Sequence, residues 1–151
     1  MVRLFVFLFL LAASPVAKKA PVPVRSAASA PVPIHSLCEA AEQHTGRPYV
    51  WGATGLKSFD CSGYVWRSCL DNGLLLKRTT ARKLYLSLPA VPDSERYRGD
   101  NLVFFDNLKH VGIVRDDTTF YQAQSSKGTN LSRFDPYWRG KIYGFRRIRL
   151  R

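Results

Sequence analysis

Phe59-Asp60-Cys61-Ser62-Gly63 sets a helix-capping carboxylate directly before a cysteine. An aspartate there accepts the free amides of a first helical turn, so a helix is expected over 61–70, closed by Asn72-Gly73. Cys61 then becomes the first helical residue, where unpaired amides and the macrodipole stabilise a thiolate. The charge of Asp60 opposes a second negative charge beside it. Its capping bond partly occupies it, and the helix terminus with a histidine partner is expected to dominate. The competing reading is a buried structural cysteine. Ser62 and Gly63 argue against that, since both are poor helix-interior residues and Gly63 admits a close backbone or substrate.

Upstream, Ser36-Leu37-Cys38-Glu39 is a capping box, predicting a helix over 37–45 that Gly46 ends with Pro48 beyond. The apolar run 49–52 closes on a glycine, and 54–59 reads as a loop. Downstream, Thr79 or Thr80 can cap a short third helix to about residue 86, before Pro89. Residues 89–100 are polar and turn-rich. Strands are expected at 102–105, 111–114, 119–123 and 142–148. Helices first and antiparallel strands later indicate an α+β domain, a meander sheet backed by the Cys61 helix.

There are three histidines. His35 lies at the edge of a linker and reads as solvated. His44 lies near a helix C-terminus and reads as a surface cap. His110 starts the strand His-Val-Gly-Ile-Val, which holds it rigidly. It is the best general base, because imidazole titrates near neutral pH.

With these residues in order, the chain resembles the NlpC/P60 family of cell-wall cysteine peptidases. The resemblance rests on Gly46-Arg47-Pro48-Tyr49-Val50-Trp51-Gly52, Phe59-Asp60-Cys61-Ser62-Gly63, Gly99-Asp100, Leu102-Val103-Phe104-Phe105 and His110-Val111-Gly112-Ile113-Val114. It covers essentially residues 36–148. It implies a papain-like α+β fold, with Cys61 as nucleophile, His110 as base and the Tyr49 hydroxyl near the oxyanion position. It also implies hydrolysis of peptidoglycan stem peptides, typically between D-glutamate and the diamino acid, with no cofactor and no metal. The third polar position departs from the common pattern: Gln122 stands where the family often carries a second histidine. Its carbonyl can accept the His110 ring hydrogen and fix the tautomer. Asn101 is a one-residue insertion between Gly99-Asp100 and Leu102. Alternatives are an amidase, esterase or acyltransferase using the same Cys-His pair, or a non-catalytic wall-binding module.

The flanks bear on location. Arg3 precedes an unbroken apolar run from Leu4 to Ala13, the pattern of an export signal and too short to span a bilayer. We assign 1–17 to such a signal, 18–34 to a Pro/Ala-rich linker and 35–151 to the catalytic domain. An exported monomer, periplasmic or secreted, is expected, with no transmembrane anchor beyond the signal segment. The 151 residues carry a net charge of +12, which suits anionic wall polymers or membrane surfaces. Nucleic acid is not expected as a partner, because the basic residues form no recognition motif. Three cysteines in an oxidising compartment leave one over. If Cys61 stays reduced as nucleophile, Cys38 and Cys69 can pair; the alternative is that both pack as small buried hydrophobes.

Overall fold

The computed structural model describes residues 36–149. The expected export segment, the linker and His35 lie outside the described residues. Three helices come first: α1 (Leu37–Gln43), α2 (Cys61–Asp71) and α3 (Ala81–Ser87). Strands β1 (Asn101–Phe105), β2 (His110–Val114), β3 (Thr119–Gln124) and β4 (Gly128–Arg133) follow, then the one-turn helix α4 (Pro136–Arg139) and strand β5 (Ile142–Arg147). The strands form one antiparallel sheet in the order β4-β3-β2-β1-β5.

Local chemistry sets the helix starts. The Ser36 hydroxyl accepts the Glu39 amide at 3.1 Å, and the Glu39 carboxylate accepts the Ser36 amide at 3.2 Å. Asp60 caps α2. Thr80, rather than Thr79, caps α3 through the Lys83 amide. Helix α1 ends at Gln43, two residues short of the expected end, with His44 as its C-cap, and Gly46 takes φ +78° just beyond it.

Both faces of the sheet are buried. Leu102, Phe104, Val111, Ile113, Tyr121 and Ala123 share one core cluster with Leu37, Ala41, Tyr64 and Val65 of α1 and α2. The alternating residues Val103, Phe105, Val114 and Phe120 form a second core with Phe134 and Phe145, partly covered by Tyr97 and Trp138. Period-two alternation of strand side chains produces this split. The first core seats the helix that carries Cys61; the second holds the surroundings of His110.

Two elements differ from the sequence reading. Strand β4 and helix α4 fall in a stretch where neither was expected. The segment Gly-Thr-Asn-Leu-Ser-Arg lies at the sheet edge, and its outer half alternates partly buried with exposed residues. It therefore lacks the apolar alternation that marks a half-buried strand. Asn101 is absorbed at the start of β1. Its Nδ2 donates to the Glu95 carbonyl at 2.6 Å, and Asp100 takes φ +70° to make the turn. This lies at the opposite end of β1 from the turn that leads to His110.

Candidate active site

Asp60 caps the helix by accepting the Gly63 amide at 2.6 Å on Oδ1, and it accepts the Gly52 amide at 2.9 Å on Oδ2. Arg78 completes the set, its Nη2 lying 2.7 Å from both carboxylate oxygens. The Arg78 Nη1 donates to the Ser62 hydroxyl at 2.8 Å and the Thr79 carbonyl at 2.6 Å. The cap thus carries a counter-charge that the sequence did not reveal, since Arg78 sits in a basic stretch with no motif. Gly63 serves a close backbone approach: a Cβ there would overlap the Ala53 carbonyl oxygen.

Cys61 is buried at the start of α2. Burial raises its thiol pKa and Asp60 raises it further, while hydrogen bonding from the amides of Val111, Ser62 and Cys61 itself pulls the other way. The thiol is therefore the resting form at neutral pH. The sulfur lies 3.9 Å from the Lys109 carbonyl oxygen, so it rests against the chain on either side of His110. Among the described residues no hydrogen bond joins the Cys61 thiol to the His110 ring.

The His110 ring is held from behind. Its Nε2 lies 2.7 Å from the Oε1 of Gln122, a fully buried side chain on β3. The Gln122 Nε2 donates to the Ser132 hydroxyl at 2.7 Å, and Ser132 in turn donates to the Asn130 Oδ1. That chain orients the Gln122 amide so that its oxygen meets the imidazole. His110 then carries its hydrogen on Nε2, leaving Nδ1 as an acceptor. Trp138 stacks on the ring at 5.6 Å between centroids, and Phe105 lies 5.8 Å away on β1. Burial lowers the His110 pKa, with the Gln122 bond opposing. Ser132 and Trp138 were both missed in the sequence, because they lie on β4 and α4.

Tyr49 is tethered near Cys61. Phe59 donates its amide to the Pro48 carbonyl and accepts the Val50 amide, both at 3.1 Å. Burial raises the Tyr49 pKa, and proximity to Cys61 raises it further. Tyr49, His110 and Trp138 line an open groove of about 830 Å³. Cys61, Trp51 and Arg78 line an adjoining hollow of about 470 Å³. Lys109 lines both.

The remaining sequence candidates lie elsewhere. The three cysteines are free thiols, so the expected Cys38–Cys69 bridge is not formed. The Cys38 sulfur instead donates to the Val114 carbonyl at 3.1 Å, and Cys69 is packed in the helix-side core. Burial pushes both thiols up to about 12, in keeping with the alternative of small core residues. His44 is no mere surface cap: its Nε2 lies 2.6 Å from the Asp71 carboxylate and its ring packs on Phe59, tying α1 to α2. Among the described residues no helix is long and apolar enough to cross a membrane.

The sequence profile of the NlpC/P60 family matches residues 46–147. The chain is 34% identical over 111 residues to the probable endopeptidase p60 of Listeria seeligeri, covering 72% of this chain and 21% of that protein. It is 34% identical over 131 residues to the probable endopeptidase YafL of Escherichia coli, covering 76% of this chain and 51% of that protein. It thus spans only a fifth to a half of these relatives' lengths. The fold is similar to that of a lipoprotein-like NLP/P60-family protein from Staphylococcus aureus, with a TM-score of 0.67 and 26% identity. That match covers 78% of this chain and 42% of the staphylococcal chain.

Proposed function

The chain belongs to the NlpC/P60 family, and we propose that it is a cysteine peptidase hydrolysing peptidoglycan stem peptides, at the bond between D-glutamate and the diamino acid. The observation that carries this reading is the 2.7 Å bond from His110 to Gln122, set beside a cysteine that heads a helix. It gives the imidazole one defined tautomer, with the basic nitrogen left for the thiol.

The chemistry starts from a neutral thiol and a neutral imidazole. Cys61 passes its proton to the His110 Nδ1 as the sulfur attacks the scissile carbonyl. The Cys61 backbone amide and the Tyr49 hydroxyl stabilise the developing oxyanion. Protonated His110 then delivers its proton to the leaving amine of the diamino acid. A water deprotonated by His110 attacks the acyl-enzyme, and the thiol is restored. Gln122 supports the imidazolium with a neutral carbonyl, more weakly than a carboxylate would.

The proposed setting is outside the cytoplasm, in the periplasm or secreted. The export-type start at Arg3 to Ala13 and the net charge of +12 support it. Incubating the purified protein with peptidoglycan tests the reading. New free amino groups on the diamino acid support the peptidase. Released alanine that had been linked to the muramic carboxyl would point instead to an amidase.

A further inference from the structure

We propose that Lys109 recognises a carboxylate carried by the substrate next to the scissile amide. The inference rests on the proposed cleavage after D-glutamate. A glutamate linked through one carboxyl keeps the other free, a short carbon chain away from the bond that is cut.

Three Lys or Arg side chains line the two hollows of the groove: Arg78, Lys109 and Lys141. Arg78 is taken by Asp60 in the helix cap. Lys141 pairs with Asp106 at 3.1 Å and lies over the Tyr137 ring. The carboxylates that line the hollows, Asp60 and Asp106, are the two already engaged. Lys109 is exposed, and among the described residues its ammonium has no carboxylate or hydrogen-bond partner. Within these two hollows the one Lys or Arg side chain left unengaged is therefore Lys109, the residue that precedes His110 and whose carbonyl faces the Cys61 sulfur.

The placement of Lys109 is built. The turn before it runs through three successive non-glycine residues in the left-handed region: Asp106 at φ 49°, Asn107 at 51° and Leu108 at 68°. Such backbone persists only where surrounding contacts over-determine it, and it concentrates at ligand clamps and active sites. Here Leu108 is buried in the helix-side core, the Asp106 amide donates to the Lys141 carbonyl at 3.1 Å, and Arg82 donates to the Asn107 carbonyl at 3.1 Å. These contacts fix the root of Lys109 between the two hollows. Its flexible stem lets the ammonium follow a carboxylate on either side of the nucleophile.

The test uses the full chain and two synthetic stem tripeptides. They differ only in the free carboxyl of D-glutamate, which is left as the acid in one and converted to a primary amide in the other. Wild type is expected to favour the acid in kcat/KM by about 10- to 100-fold, the range of a charge-assisted hydrogen bond. Lys109→Met should bring that ratio close to one, and Lys109→Arg should keep most of it. A Lys109→Met enzyme with the wild-type ratio would overturn the inference, and so would an equal loss on both peptides, which would mean that Lys109 acts through the turn or the thiol. Wild type cleaving both peptides without preference overturns the inference alone. Wild type cleaving neither overturns the proposed function, and this inference with it.

Discussion

Arg78 holds both carboxylate oxygens of Asp60 at 2.7 Å, one residue before the cysteine that heads α2. Asp60 caps the helix with a negative charge that disfavours the thiolate it helps to position, and Arg78 offsets that charge. The Asp60 side chain is only 8% exposed and that of Arg78 is 25% exposed, so the pair is largely withdrawn from water.

Removing one partner leaves the other charge without compensation. Arg78→Met is expected to destabilise the fold by about 3 kcal/mol, as for other broken, mostly buried ion pairs. Asp60→Asn keeps a capping oxygen, and the double variant should recover part of the Arg78→Met loss. Urea unfolding of the two single variants and the double variant measures this. Strictly additive losses would mean that the pair contributes no coupling.

The thiol at Cys61 should ionise late. Burial first and Asp60 second hold its pKa above the ordinary value, so thiolate is scarce at neutral pH. The rate of iodoacetamide labelling at Cys61 should keep rising through pH 9 instead of levelling near pH 7. Asp60→Asn removes a negative neighbour and leaves Arg78 unneutralised. Both changes favour the thiolate, so the profile should move to lower pH. A shift to higher pH would mean that the cap, not the charge, governs the thiol.

Gln122 is expected to act through His110 alone. Gln122→Ala should reduce turnover by roughly 10- to 1000-fold, the range for loss of an orienting partner. Gln122→His should be tolerated. Ser132→Ala frees the Gln122 amide to flip and should give a smaller loss of the same kind, read in the pH dependence of kcat/KM. Equal rates for Gln122→Ala and wild type would mean that another group orients the ring.

Thiol counting tests the cysteine arrangement. The unfolded protein should present three reactive thiols, since Cys38 and Cys69 are not bridged. In the native state Cys61 should label first, because it alone of the three lines a groove hollow. One reactive thiol after unfolding would restore the disulfide expected from sequence.

What the sequence made legible was local. The capping box at Ser36, the Asp60 cap and the Asn72-Gly73 stop are short-range signals, and all three helices begin where their caps stand. The four apolar strand segments were legible for the same reason. Strand β4 was hidden because a polar edge strand carries weak alternation, and with it went Ser132. The short helix α4, capped by Asp135, was hidden by its length, and with it went Trp138. Arg78 finds Asp60 across 18 residues of chain, a pairing that only the packing of the loop before α3 against the start of α2 determines. The disulfide expectation failed on register. Chain order suggested that α1 and α2 pack together, but it could not show that the Cys38 sulfur turns to the Val114 carbonyl instead of to Cys69.

The central claim is that Cys61 cuts the D-glutamyl–diamino acid bond of peptidoglycan. Mass spectrometry of peptidoglycan digested by wild type and by Cys61→Ala tests it most directly. Wild type should release fragments that begin with the diamino acid bearing a new free amino group, and Cys61→Ala should release none. Identical fragment patterns from the two proteins, or wild-type fragments cut only elsewhere in the stem, would contradict it.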